Sequence, residues 1–134
     1  MLRPDRKPDF DNFLRLLECD HNAKPALFEL YMHHGLYEKL AGRAWEGGSK
    51  LDYDILKVEA FHNAGYDYAM VYASELSFPA KERSQGSSIS LNEGAAITDR
   101  ASFDAYAWQD PDSFDDSPMQ DISPFLPQNM KLMV

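Results

Sequence analysis

Two segments of the chain carry hydrophobic residues at the spacing of an amphipathic helix. The first stripe consists of Phe10, Phe13, Leu14 and Leu17, and the second of Ile55, Val58, Phe61 and His62. This spacing predicts one helix that follows Pro8 and Asp9 and ends near Cys19. It predicts a second helix that begins at Asp52 and ends at Gly65. A shorter helix is predicted over 36–41, with Gly42 as its C-terminal cap.

Three short apolar runs, over residues 26–32, 67–74 and 130–134, are typical of buried strands. Gly65 separates the second helix from the second run, and the order helix–glycine–strand is the return limb of a βαβ unit. Residues 89–97 predict a small hairpin, Thr98 or Asp99 caps a short helix, and Asp110 with Pro111 forms another cap. The pattern predicts an α/β fold with N-terminal helices, about three parallel strands and a small β-hairpin insertion.

Composition and charge narrow the class of protein. The 134 residues suit one domain, and the formal net charge of −9 disfavours nucleic acid and anionic membranes as partners. Cys19 is the single cysteine, which excludes a disulfide framework and an all-cysteine zinc site. No run approaches the ~20 apolar residues of a membrane span, and no apolar stretch of a signal peptide follows the charged start. We therefore expect a cytoplasmic protein.

Four segments form a recognisable pattern when they are taken together. They are KPALFEL over 24–30, GYDYAMV over 65–71, LNEGAAITD over 91–99 and YAWQDP over 106–111. The chain from about Phe10 to Val134 thereby resembles the N-terminal part of the uroporphyrinogen decarboxylase superfamily. That superfamily also includes methyltransferases that move methyl groups between corrinoid proteins and thiols such as coenzyme M.

The resemblance implies a (β/α)8 TIM barrel, a fold that needs about 250 residues. Residues 1–134 would then be the N-terminal part of a single truncated barrel domain, and the runs at 26–32, 67–74 and 130–134 would be its first strands. The methyltransferase branch carries a His-x-Cys…Cys zinc site in its second half. We therefore expect no cofactor and no metal site within this chain, and any zinc would belong to the missing C-terminal half.

One departure from the family pattern bears on the reaction. Uroporphyrinogen decarboxylases carry an arginine-rich motif at the end of the first strand, where guanidinium groups meet substrate carboxylates. The corresponding stretch, 30–34, contains no arginine. We therefore expect a methyltransferase-like or uncharacterised parent enzyme rather than a true porphyrinogen decarboxylase. Its substrate would be a small molecule or a corrinoid protein, and the chain alone is expected to be inactive.

Active-site residues of such barrels follow the C-terminal ends of strands, which nominates residues 31–34 after the first strand and residues 74–75 after the second. Glu29 is expected to face inward from the first strand, and the resemblance implies that the loop of Asn92 overhangs the barrel mouth. Glu75 and Glu29 are the predicted catalytic carboxylates, which would orient or protonate the substrate. The predicted substrate-binding residues are Tyr31, His33, Ser74 and Asn92.

Structural interpretations stand beside these functional ones. The structural interpretation of Glu29, as an outward-facing or structurally paired carboxylate, is favoured over the functional one. Glu75 is read equally as a solvated loop residue. His33 and His34 are typical of surface or helix-capping residues, because neighbours on an extended chain point to opposite sides and do not readily share an ion. The alternative for the whole chain is a non-catalytic αβ module that dimerises through the exposed sheet edge at 130–134.

Overall fold

The computed structural model describes residues 7–72 and 95–134, which divide between two compact units. The first unit comprises Met1–Ala73 and Asp115–Val134, and the second comprises Ser74–Phe114. The elements of the first unit are α1 (Phe10–Leu17), α2 (His34–Ala41), α3 (Lys50–Ala64), β1 (Tyr68–Met70), α5 (Ser117–Ile122), a 3-10 helix (Ser123–Phe125) and β2 (Lys131–Met133). The second unit contains α4 (Arg100–Asp104) and a 3-10 helix (Pro111–Ser113).

Local chemistry accounts for where the helices begin and end. Asp9 caps α1 by accepting a hydrogen bond from the Asn12 backbone N–H at 3.1 Å. Ser49 and Asp52 form a capping box at the start of α3. Gly42 and Gly65 end α2 and α3 in the left-handed conformation, with φ of 76° and 94°. The predicted helices over 36–41 and 52–64 are thus confirmed, although each begins two residues earlier than expected.

The sheet of the described residues consists of β1 and β2, which pair in parallel. Tyr68 lies opposite Lys131 and Met70 opposite Met133. The Lys131 N–H donates to the Asp67 carbonyl at 3.4 Å, and the Val71 N–H donates to the Met133 carbonyl at 3.1 Å. The predicted second and third runs therefore form strands, shortened to three residues each.

The core of the first unit lies where α3 crosses this sheet. Its fully buried side chains include Leu56, Val58 and Phe61 of α3, Tyr68 of β1 and Ile122 of α5. The Phe61 and Tyr68 rings lie 5.8 Å apart, which is the distance of favourable aromatic contact. Burial of these apolar side chains, rather than hydrogen bonding between the two short strands, supplies most of the stabilisation of the unit.

The predicted strand over 26–32 is wrong. No strand forms there, because tyrosine hydroxyls form hydrogen bonds with backbone N–H and C=O groups that would otherwise pair with a neighbouring strand. The Tyr68 Oη accepts from the Glu29 N–H at 2.6 Å and donates to the Glu29 carbonyl at 2.7 Å. The Met32 N–H donates to the Tyr37 Oη at 2.9 Å. Nor is the segment a buried one, since Phe28 is 58% exposed and Tyr31 is 74% exposed.

The predicted fold class must be corrected accordingly. A partial TIM barrel would contribute three neighbouring parallel strands, whereas the described residues hold a two-stranded sheet. The first unit is a small α/β module in which an extended segment, tied down by tyrosine hydroxyls, takes the place of the expected first strand.

In the second unit, Asp99 caps α4 as predicted, and its side chain accepts from the Ser102 N–H at 2.8 Å. Asp110 likewise caps the 3-10 helix that begins at Pro111. Most of the predicted hairpin, residues 89–94, lies outside the described residues, and residues 95–97 form no strand. A search of the described helices for one long and apolar enough to cross a membrane found none.

Candidate functional site

A pocket of about 440 Å³ lies at the carboxyl end of the two parallel strands. Its wall contains Met70 and Val71 from the end of β1 and Val134 directly after β2. The remaining lining residues are Leu30, Tyr31, Met32, Tyr37, Tyr53, Lys57 and Tyr72. Among the described residues, the pocket is formed by apolar and tyrosine side chains with one charged side chain, that of Lys57, a composition typical of small-molecule sites.

Helix α3 places two of these residues one turn apart. Tyr53 and Lys57 are separated by four positions, so their side chains share a face of the helix. The Lys57 Nζ lies 4.9 Å from the centre of the Tyr53 ring and 5.6 Å from the centre of the Tyr72 ring. Both distances allow cation–π attraction, which is strongest where water is displaced.

Lys57 belongs to a charge cluster on α3. Its Nζ donates to the Asp54 Oδ1 at 2.7 Å, and the Lys50 Nζ donates to the Asp54 Oδ2 at 3.1 Å. Asp54 and Lys57 are buried, with 5% and 8% of their surfaces exposed. Lys50 also donates to the Tyr72 carbonyl at 2.9 Å, which ties the chain after β1 to the start of α3.

Tyrosine hydroxyls fix the other side of the pocket. Tyr37 holds the extended segment through its hydrogen bond with the Met32 N–H. The Tyr53 hydroxyl lies 3.0 Å from the Nδ1 of His34. Burial raises the pKa of Tyr37 and of Tyr53 above the ordinary value of 10.0, so both hydroxyls are neutral and available as hydrogen-bond donors near pH 7.

Of the predicted site residues within the described part of the chain, Tyr31 lines the pocket. The Glu29 carboxylate instead accepts from the neighbouring Leu30 N–H at 3.0 Å, and Glu29 does not line this pocket. The His33 ring caps α2 by accepting from the Gly35 N–H at 3.2 Å. The structure therefore does not bring these three side chains together. Ser74, Glu75 and Asn92 lie outside the described residues.

Three polar residues of the pocket wall, Lys57, Tyr53 and Tyr37, were not among the predicted site residues. A signal for Lys57 was present in the spacing. Asp54 and Lys57 fall at helical spacing with Val58 and Phe61, on the stripe that faces the core. Charged residues on a core-facing stripe are exceptional unless they are paired, and such a pair in the sequence is a signal for a candidate site.

No group of three or more metal-binding side chains was found among residues 7–72 and 95–134. The chain matched no protein-family model, no curated protein and no solved structure in searches of each.

Proposed function

We propose that the pocket at the carboxyl end of β1 and β2 binds a small molecule, and that the chain contributes this site to an enzyme similar to the uroporphyrinogen decarboxylase superfamily. The observation that carries the proposal is the position of the pocket, since Met70, Val71 and Val134 place it beyond the ends of two parallel strands. Ligands of α/β proteins bind at this end of the sheet, where the backbone leaves the strands and side chains become free to vary.

The resemblance favours methyl transfer, or a related reaction, over decarboxylation of a porphyrinogen. The stretch 30–34 lacks arginine, and within the described residues Lys57 supplies the positive charge of the pocket wall. A single ammonium is a poor match for a substrate that carries many carboxylates. The substrate of this proposal is a small molecule, or a group carried by a corrinoid protein.

Binding of a fluorescent probe tests the pocket directly. The probe is 8-anilinonaphthalene-1-sulfonate, called ANS below, which fluoresces when it enters an apolar site. Leu30 lines the pocket and is 45% exposed, so the variant Leu30→Trp should fill part of the cavity and abolish saturable binding.

Leu27→Trp is the matched control for this experiment. Leu27 is 50% exposed, lies on the same extended segment and does not line the pocket, so this variant should bind ANS as the parent chain does. Equal binding by both variants would contradict the proposal, because the dye would then occupy another surface.

Self-association is a second candidate function, favoured by the outer edge of β2. In a parallel ladder, alternate residues of a strand bond to the same neighbour. Lys131 and Met133 bond to β1, so the backbone groups of Leu132 point to the other side, where no partner is found within the described residues. Sedimentation should then detect a dimer that Leu132→Pro abolishes, since proline removes the outward N–H. A monomer at all concentrations would exclude this function.

A further inference from the structure

The pocket of the proposed function has one positively charged side chain among its described lining residues, and this side chain belongs to a cluster on α3. The α3 cluster consists of Lys50, Asp54 and Lys57, with one carboxylate between two ammonium groups. Its formal sum is +1, although the chain as a whole carries −9. Salt screens the buried pair of Asp54 and Lys57 less than it screens surface charges, so the charge of Lys57 acts on whatever enters the pocket.

Lys57 is the member of the cluster that faces the pocket. An ammonium group has three N–H donors, and the described residues offer the Nζ of Lys57 one hydrogen-bond acceptor, Asp54. The Tyr53 and Tyr72 rings stand beside it at 4.9 and 5.6 Å, and its side chain is 10% exposed. The group is therefore a largely buried cation, and within residues 7–72 and 95–134 one of its three N–H donors is taken by Asp54.

We infer that Lys57 binds the anionic group of the pocket's ligand, and that this ligand joins a compact anion, such as a carboxylate, sulfonate or phosphate, to a flat apolar body. A hydrogen bond to an ionised group is stronger than one between neutral groups, which suits Lys57 to this task. The rings of Tyr31, Tyr37 and Tyr53 provide surfaces for a flat apolar body. This inference rests on the proposed small-molecule site.

Two dyes separate the anion from the apolar body. ANS carries a sulfonate, and its neutral analogue N-phenyl-1-naphthylamine has the same ring system without the charge. If Lys57 binds the anion, the parent chain should prefer ANS to the neutral dye. Lys57→Gln should lower ANS affinity by about tenfold, the size expected for one charged hydrogen bond, and should leave the affinity for the neutral dye unchanged.

Lys50→Gln is the matched control, because Lys50 bonds to the same carboxylate but does not line this pocket. Lys50 is 40% exposed, so its removal should change ANS affinity by no more than about twofold. A fall in ANS affinity of equal size in both variants would overturn the specific role of Lys57 and would indicate only a diffuse field.

Asp54→Asn provides a test that does not depend on the folding of the Lys57 variant. It removes the carboxylate that competes for the Lys57 Nζ, so ANS should bind more tightly while the neutral dye is unaffected. Unchanged ANS binding in both Lys57→Gln and Asp54→Asn would overturn the inference. In that case, loss of both dyes in Leu30→Trp would still support the pocket, whereas binding of both dyes by Leu30→Trp would remove the proposed function itself.

Discussion

The hydroxyl of Tyr68 should hold the extended segment that forms one wall of the pocket, and Tyr68→Phe tests this. The phenylalanine ring keeps the contacts of Tyr68 with Phe13 and Phe61, at 5.5 and 5.8 Å, so the change is confined to the hydroxyl. That hydroxyl makes two hydrogen bonds with the backbone of Glu29, at 2.6 and 2.7 Å. Each such bond contributes about 1 kcal/mol net.

The free energy of unfolding should therefore fall by about 1–2 kcal/mol, as measured by urea denaturation followed by circular dichroism. Glu29 is exposed, so water can replace part of the lost bonding and the upper end of the penalty for an orphaned group is not reached. Amide hydrogen exchange should at the same time become faster at Glu29 and its neighbours, because the segment loses its attachment to β1.

Tyr31→Phe is the control for this prediction, since Tyr31 is 74% exposed. Its free energy of unfolding should stay within about 0.5 kcal/mol of the parent value. The reasoning is refuted if Tyr68→Phe unfolds at the same urea concentration as the parent chain and the Glu29 amide keeps its protection.

Three further measurements test the caps and the tyrosines. Gly42 has φ of 76°, so Gly42→Ala should lower the free energy of unfolding by about 1–2 kcal/mol, whereas Gly35→Ala, within α2 and at ordinary φ, should not lower it. Hydrogen bonds from the Ser49 side chain and backbone lower the pKa of Asp52 below 3.8. The difference in free energy of unfolding between the parent chain and Asp52→Asn should therefore be constant near neutral pH and disappear as the pH falls through that lowered pKa. A difference that persists in acid would contradict this. Burial raises the pKa of Tyr37, Tyr53, Tyr66 and Tyr68 above 10.0, so their stabilisation is present below that pH and is lost as the pH rises through the folded values. Tyrosinate absorbance should accordingly appear at higher pH in the folded chain than in urea, and coincident titrations would show the rings to be exposed.

The helices could be predicted from the sequence because their determinants are local. The stripe that ends at Leu17, the glycines at 42 and 65 and the aspartate caps act within one or two helical turns. These helices can therefore be located without knowledge of residues that are distant in the sequence. The start of α3 was predicted two residues late, because Asp52 is itself a favourable residue for a helix start, whereas the capping box places Ser49 at the N-cap.

The strand over 26–32 could not be judged in the same way. An apolar run indicates that a segment has surface to bury, but it does not indicate which groups will form hydrogen bonds with the backbone of that segment. Here the Tyr68 hydroxyl, 39 positions away from Glu29, takes them. This long-range contact has no local signal, and Phe28 and Tyr31 of the same segment are exposed.

The sequence led to only one of the described residues that line the pocket. The rule that ligands bind beyond the ends of parallel strands nominated Tyr31 through a strand over 26–32 that does not form, although Tyr31 does line the pocket. It passed over Lys57, because a lysine in a helix is normally assigned to the solvent. A search for partners at helical spacing would have related Lys57 to Asp54 three positions earlier.

The pairing of Asp54 with Lys57 also bears on why a charge is buried beside the pocket at all. Taking two ions out of water costs several kcal/mol per ion, and well-packed apolar side chains of similar volume are often at least as stabilising. Stability alone is therefore a weak reason for this pair, which lies on the same face of α3 as Val58 and Phe61. Recognition is a stronger reason, since a lysine that lies largely out of water beside two tyrosine rings loses little further hydration when a ligand arrives. On this view Asp54 balances the charge of Lys57 in the free protein and gives way to an incoming anion, which is why the removal of this carboxylate should tighten the binding of an anionic ligand.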